Sequence, residues 1–454
     1  MLNNSASKIL LLKSAALLMA IGFAYFAFTQ QYRAIFDPCN CADAYAYTKI
    51  GQLYAEHGFA LHEWSKLRLY AYPLFIAAVD IAASWLAVDQ GIALFAVQLA
   101  VYFSAVILLS GNLTKLVSLR VGNLVFFALT ANVFLYPYLA ISLSDGMSVS
   151  LLIFIAALIV HMQSSGLSAA RVFLMGVLLG LGIMVRPANL YWLAMPVVLL
   201  GLFAWSERQG RGWHLLRFGA ALVLGFFLAV LPQIIINYRF FDELTFLPVF
   251  KLGSFQIRSG ILMIKYGTNM TGNGPPAMVY PNIWFNNAVP DLSWYFLHPW
   301  LGVRTMFLHL FSALDFDYLF CYIYDLRPKY RPVLFLYSQT VLFWGVVGFF
   351  AAARDIRAWE QRGGTKPKAS VMFMALLLAA VLGWCAVTSI SAVENRFSLP
   401  MVAILLPLAA WALIGHRWEN RRSLILCGSL FCCYLIFAAW VSYTISSLVV
   451  LPNG

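Results

Sequence analysis

Charge is what this chain has least of. Only 11% of its 454 residues are Asp, Glu, Lys or Arg, against about 25% in soluble globular domains, and that scarcity excludes a water-soluble enzyme. Histidine is sparse too, at seven residues, and His57, His62, His298 and His309 have no ligand spacing, so no metal is assigned. The chain has no short-period internal repeat. Its short charged loops hold no glycine-rich phosphate-binding motif, which argues against a cytosolic nucleotide. A small-residue cleavage site is missing after Ile9–Phe28, so that stretch reads as a first helix, not a removable leader. Alternating ten-residue segments of the barrel kind are also missing.

What is abundant is hydrocarbon. Hydrophobic residues make up 62% of the chain and aromatic ones 16%, with a mean hydropathy of +0.80, which excludes disorder as well. The composition predicts an all-α, polytopic transmembrane helix bundle. Runs of roughly 20 apolar residues place about eleven spans at 9–28, 91–112, 122–141, 146–163, 172–185, 189–205, 216–236, 333–353, 370–390, 398–416 and 423–449. The fifth is short and ends at Arg186-Pro187, so it is expected to be tilted or broken. One domain, 1–454, is expected, with two large outer segments at 29–90 and 237–331.

The net charge of +12 has a definite address. If the N-terminus is cytoplasmic, the loops on that side and the adjoining helix ends hold sixteen basic residues, among them Lys8, Lys13, Lys115, Arg120, Arg171, Arg354, Arg357, Arg417 and Arg422. They hold four acidic ones, Glu207, Asp355, Glu360 and Glu419. The whole excess therefore lies on one face, as expected of cytoplasmic loops, and no nucleic-acid partner is needed to explain it. Residues 70–88 are long enough to span, but a crossing there spoils this partition. They contain Asp80, precede Asp89, and are expected to lie in the outer interface.

The outer segments carry mixed signals. Residues 42–57 have helical character, with Tyr45, Ile50, Leu53 and Tyr54 apolar among polar residues, and read as a helix along the membrane surface. Gly, Pro and Asn at 267–276 mark irregular backbone. Asn269-Met270-Thr271 has the form of a glycosylation sequon. Cys39 and Cys41 form a C-x-C pair whose disulfide is strained. Cys321, Cys385, Cys427, Cys432 and Cys433 read as small apolar residues.

Charged groups near the outer helix ends are the sharpest signal, because ionisable residues close to hydrocarbon are costly and usually functional. Asp43 opens the surface helix, Asp145 sits in AISLSDGMS, Arg186 ends the short fifth span, and Glu394 and Arg396 lie in SAVENRFSLP. Lys251, Arg258 and Lys265, with Tyr266 beside them, reach the same face from the second loop. A carboxylate can take a proton from an attacking hydroxyl, and fixed cations stabilise a departing phosphate. Each has a structural alternative: Asp43 and Asp145 as helix caps, Arg186 as a snorkelling side chain, Arg396 as a partner of Glu394. Asp37 before Pro38 reads as a turn former. Asp315 and Asp317 resemble a D-x-D metal motif, but are expected on an interfacial helix, where i and i+2 do not share a face.

The order of motifs resembles the GT-C class of membrane glycosyltransferases, which includes protein O-mannosyltransferases and the aminoarabinose transferases of lipid A. The resemblance rests on Asp43, Tyr45 and Tyr47, then Gly58, Arg68 and Tyr72-Pro73-Leu74. It continues with Tyr136-Pro137, Asp145 in SLSDG, Val185-Arg186-Pro187, and Glu394-Asn395-Arg396-Phe397 followed by Pro400. It covers the first 200 residues and resurfaces near 390–410. The adjacent acidic pair of several such families is missing from the first loop, the late Arg-Tyr is Arg396-Phe397 here, and 237–331 matches nothing.

The resemblance implies a sugar taken from a polyprenyl-phosphate carrier and transferred with inversion to an extracytoplasmic glycan, lipid or protein. Asp43 would be the general base, and Arg186 and Arg396 the phosphate ligands. Asp145 would shape the site, with Glu394, Arg68, Tyr72, Lys251, Arg258 and Lys265 as further substrate contacts. Implied partners are the lipid-linked donor, the acceptor and membrane lipids. No cofactor is implied, and nothing in the residues supports a divalent cation. The expected location is a bacterial inner membrane, with the site facing the periplasm. Two rivals are an O-antigen polymerase or ligase, which would depend on outer arginines without an early aspartate, and a lipid-linked oligosaccharide flippase, which would show repeats and mid-membrane breaks.

Overall fold

The computed structural model describes residues 4–36, 42–59, 66–206, 211–268, 277–285, 289–319, 330–361, 369–416, 418 and 421–450. Asp37, Cys39, Cys41, His62, Glu207, the sequon at 269–271, Cys321, Arg417 and Glu419 lie outside them. The chain is a polytopic bundle of apolar helices. In order they are α1 (Asn4–Phe36), α2 (Ala42–His57), α3 (Ala71–Trp85), α4 (Gln90–Leu116), α5 (Leu119–Thr130) and α6 (Tyr136–Leu139). Then come α7 (Ser144–Ser165), α8 (Ala169–Val185), α9 (Ala194–Ser206), α10 (Arg211–Phe241) and α11 (Leu252–Leu262). After the strands β1 (Met263–Thr268) and β2 (Ala277–Pro281) follow α12 (Ser293–Leu297), α13 (Pro299–Leu314), α14 (Arg331–Gln361), α15 (Ala369–Ile390), α16 (Leu399–Ala410) and α17 (Arg421–Ser446).

Among the described residues, seven segments, not eleven, are long and apolar enough to cross a membrane: Ser7–Gln30, Gln90–Leu116, Ser144–Ser165, Gly212–Phe241, Arg331–Asp355, Asn395–Gly415 and Arg422–Ser446. Three of the four remaining expected spans fall short for physical reasons. The run 122–141 breaks after Thr130 and resumes only as the single turn α6, whose second residue is Pro137. The run 172–185 is the 17-residue α8, about 25 Å long against a hydrocarbon core of about 30 Å, and it stops ahead of Pro187. The run 189–205 is split between a 3-10 turn, Pro187–Leu193, and α9. The run 370–390 is the single 22-residue helix α15, which has the length of a span. The questioned stretch 70–88 is α3, 15 residues long.

An exclusively helical chain was expected, but β1 and β2 pair antiparallel, with Tyr266 opposite Val279. Helix starts follow local chemistry. Asp89 caps α4 by accepting from Ile92 N at 3.0 Å, and Ser118 and Ser168 cap α5 and α8 in the same way. The surface helix expected over 42–57 is α2, yet it packs inward. Ala44, Tyr47, Ile50 and Tyr54 are buried, and α2 lies against α3 so closely that a Cβ on Gly51 would stand 2.6 Å from Ile76 Cγ2.

Buried polar side chains fix the upper part of the bundle. Gln98, in the first third of α4, donates to Leu139 O and Ile141 O and accepts from Tyr72 Oη at 3.0 Å. Tyr102 Oη donates to Leu129 O and Tyr136 Oη to Thr130 O, satisfying carbonyls freed where α5 ends. Ser142 Oγ donates to Ala44 O and accepts from Thr48 Oγ1. These bonds tie α2 to the turn before α7, so Asp43 and Asp145 are carried on joined elements.

Candidate functional site

Six charged side chains meet at one end of the bundle. Asp43, in the first turn of α2, accepts from Arg68 Nη2 through Oδ1 and from Arg396 Nη2 through Oδ2, the latter at 2.8 Å. Asp145, in the first turn of α7, pairs through Oδ1 with Arg186 Nη1, and its Oδ2 lies 4.0 Å from Arg396 Nη1. Arg396 Nε donates to Glu394 Oε2 at 2.6 Å. Three carboxylates and three guanidiniums thus form one network, and Asp145, Glu394 and Arg396 are each under 10% exposed. Neither aspartate caps its helix: α2 begins one residue before Asp43, and α7 has Leu143 at its N-cap with no side-chain cap bond.

Each member is held from behind. Arg186 follows the last turn of α8, where Asn189 Nδ2 donates to Gly182 O and to Ser148 Oγ, both at 2.8 Å. Ser148 lies one turn beyond Asp145, so this bond aligns Arg186 with its partner. The 391–398 segment is clamped by Ala392 N to Gln256 O, Tyr266 N to Val393 O, and Asn395 Nδ2 to Ser312 O and Asp315 O. The Phe397 ring lies 4.8 Å from the Arg186 guanidinium and 5.6 Å from that of Arg396, and Tyr47 lies 4.7 Å from that of Arg68. These aromatic faces orient the cations. Arg68 Nε is buried without an acceptor.

Burial would raise the pKa of Asp43, but the charges of Arg396 and Arg68 outweigh it and hold the carboxyl well below the usual range. Glu394 goes the other way. Burial raises its pKa, Asp43 and Asp145 add to the rise, and Arg396 only partly offsets it. Tyr266 is pushed far up, first by burial and then by Glu394 and Asp43, which places its hydroxyl in the field of the cluster. No side chain among the described residues hydrogen-bonds that hydroxyl.

The expected site residues divide into groups. Asp43, Asp145, Arg186, Glu394, Arg396 and Arg68 come together. Tyr72 lies beneath them, fully buried, its hydroxyl given to Gln98 and its ring edge-on to Tyr47 at 5.0 Å. Lys251 and Arg258 are exposed, and neither makes an ion pair with the cluster. Lys265 belongs to a second buried network, with Nζ 2.6 Å from Asp317 Oδ2 and donating to Asp315 O at 2.5 Å.

That second network corrects the placement of Asp315 and Asp317 on an interfacial helix. α13 ends at Leu314, and both aspartates are buried in the segment that follows. Arg331 Nε lies 3.1 Å from Asp317 Oδ1, and Ser442 Oγ donates to Asp315 Oδ2 at 2.7 Å. Among the described residues no group of three or more His, Cys, Asp or Glu side chains is arranged to hold a metal ion. Sequence reading noted Tyr266 and Phe397 without giving either a role, and it missed Arg331.

Comparison with known proteins gives a likeness of fold. No family model and no curated protein matches the chain. Among solved structures, the Archaeoglobus fulgidus oligosaccharyltransferase in its apo form aligns with a TM-score of 0.50 and 13% identity, covering 97% of this chain and 56% of that one. The archaeal oligosaccharyltransferase of the same organism in complex with an inhibitory peptide and a dolichol-phosphate aligns with a TM-score of 0.50 and 12% identity, over the same shares. The chain therefore spans about half the length of the solved structures it matches. The likeness is one of fold, shared with an archaeal oligosaccharyltransferase.

Proposed function

We propose that the chain is an integral-membrane glycosyltransferase that moves a sugar from a polyprenyl-phosphate carrier to an extracytoplasmic acceptor with inversion. The observation that carries this reading is the bidentate hold of Arg68 and Arg396 on Asp43 inside a cluster shared with Asp145 and Arg186. The shared fold with a protein solved in complex with a dolichol-phosphate supports a lipid phosphate as the ligand of those cations. The confinement of excess positive charge to the opposite loops supports a site facing away from the cytoplasm, which in a bacterial inner membrane is the periplasmic side.

The cluster's balance suggests how it works. Three carboxylates facing three guanidiniums leave no excess charge. An arriving phosphate competes with Asp43 for Arg68 and Arg396, and the free Arg68 Nε offers it a first donor. Once displaced, Asp43 loses the charges that hold its pKa down and becomes a stronger base. The acceptor oxygen then bonds to the anomeric carbon from the face opposite the phosphate. The carbon–oxygen bond to phosphate breaks, the acceptor proton passes to Asp43, and the lipid phosphate leaves held by Arg186, Arg396 and Arg68. The acceptor is a glycan, a lipid or a protein.

The test is turnover of polyprenyl-phosphate monosaccharides by the purified protein in proteoliposomes. Asp43→Asn should lower turnover by about 10²- to 10⁴-fold in a protein that still unfolds cooperatively. Full turnover in that variant, or lipid flux without a covalent product in the wild type, would overturn the reading.

A further inference from the structure

At the other end of the bundle from the charged cluster lies a cavity of about 480 Å³ between α4, α5, α7, α14, α15 and α16. Its wall is almost wholly aliphatic, with Leu113, Leu124, Ile153, Ala156, Ile404 and Leu408 representative. It is about three times the size of the roughly 150 Å³ apolar cavity that stays dry and takes a benzene ring. Empty apolar volume is unfavourable in proportion to its size, and water finds no partners on such a wall.

The polar lining is confined to one end. Ser118, Gln163 and Asp355 line the cavity, and each lies at the end of its element away from Asp145; Gln163 stands about 27 Å along α7 from it. Asp355 is engaged: its Oδ2 accepts from Trp411 Nε1 at 2.9 Å and from His416 Nδ1 at 2.7 Å, and His416 Nε2 accepts from Arg354. Cations flank this end. Lys115 lies between the lining residues Leu113 and Leu116, Arg354 precedes Asp355, and Arg120 donates to Ile414 O at 2.9 Å. Lys115, Arg120 and Arg354 are all exposed.

We propose that this cavity is a binding site for one hydrocarbon chain of an anionic phospholipid, drawn from the leaflet on the Lys/Arg-rich side, with its phosphate against Lys115, Arg120 and Arg354. The long aliphatic wall takes the chain, and the cationic rim matches an anionic headgroup, as basic pockets between transmembrane helices do elsewhere. A carrier lipid anchored by its phosphate near Asp43 has its headgroup at the wrong end for this polar mouth.

The test is lipid extraction and mass spectrometry of the full chain purified in mild detergent, wild type beside Ala156→Phe and Ala403→Phe, which fill the cavity. At least a fivefold drop in co-purifying anionic phospholipid is expected in the filled variants, and a loss of preference for anionic over zwitterionic lipid in Arg120→Gln with Lys115→Gln. Unchanged retention in folded filled variants overturns the proposal, and so does a polyprenyl phosphate as the retained lipid. Should the filled variants not fold, the wild type decides alone, in vesicles holding phosphatidylglycerol with a diazirine on its chain. Photo-adducts on peptides 152–163 and 403–408 support the site, and adducts confined to α17, whose outer face is exposed, overturn it. No readout here depends on sugar transfer.

Discussion

Arg396 donates from Nη2 to Asp43 Oδ2 at 2.8 Å, joining residues 353 positions apart. The same guanidinium gives Nε to Glu394 and stands 4.0 Å from Asp145. One planar fork therefore serves three carboxylates, which requires separate N–H groups in fixed directions. Lysine keeps the charge but offers a single flexible point. Arg396→Lys is expected to lower sugar transfer by about 10²- to 10³-fold, the effect of losing an oriented donor to developing negative charge. Steady-state turnover on a lipid-linked sugar reads this directly, and near-wild-type rates would mean that charge alone suffices at this position.

The pKa shifts of Asp43 and Glu394 have opposite signs, and so do their effects on stability. Asp43 is depressed in the folded protein. Its contribution is fully present above the ordinary value of about 3.9 and is lost as pH falls toward the folded value. Asp43→Asn should therefore lower the thermal midpoint above about pH 4 and flatten its acid branch, where the wild type loses the same contribution. Glu394 is raised, so the folded state holds its proton more tightly and stability declines as pH rises above about 4.5. Glu394→Gln should remove that decline. Unfolding followed by tryptophan fluorescence from about pH 3 to 8 separates the two.

The residues that meet around Arg396 were legible because a charge beside hydrocarbon stands out in a chain with so few. Asp145, Arg186 and Glu394 each interrupt or end an apolar run, and no tertiary knowledge is needed to notice them. Their convergence is different, because it depends on Ser142, Thr48, Gln98 and Asn189, polar residues of a kind that occurs anywhere in the chain. The seven long spans were legible from unbroken apolar length. Of the shorter helices, the end of α8 ahead of Pro187 was legible from the proline, but hydropathy cannot see where α5 gives way at Thr130. Asp317 was misread because an i, i+2 argument presumes a helix, and its partners Lys265 and Arg331 come from β1 and α14.

Tyr266 presents an uncommitted hydroxyl to the charged cluster while its ring packs edge-on against Phe397 at 6.3 Å. Removing the hydroxyl keeps the ring. Tyr266→Phe should leave the thermal midpoint unchanged and raise the KM for donor or acceptor, with a loss of about 0.5–1.5 kcal/mol in kcat/KM, typical of a hydrogen bond to a neutral group. Kinetics with each substrate varied in turn identify which one it contacts. Unaltered constants for both would remove Tyr266 from the site.

The second network tests a separate point, whether buried charge secures the β1–β2 hairpin to the helices. Lys265 and Asp317 are both under 5% exposed, and Arg331 reaches the other oxygen of Asp317. Removing one member of a buried pair leaves its partner uncompensated, typically at about 3–5 kcal/mol, whereas replacing both with apolar groups is often neutral. The two single losses are not equivalent here. Lys265→Met leaves Asp317 with Arg331, while Asp317→Leu strands Lys265 against a carbonyl and leaves Arg331 with Asp315 at 4.0 Å. Asp317→Leu is therefore expected to lower the thermal midpoint more than Lys265→Met. Adding Lys265→Met to Asp317→Leu is expected to restore part of the loss, because it removes the stranded ammonium. A double variant as unstable as the sum of the singles would show that the two residues act independently, and that the segment is held by Asn395 and the hairpin instead.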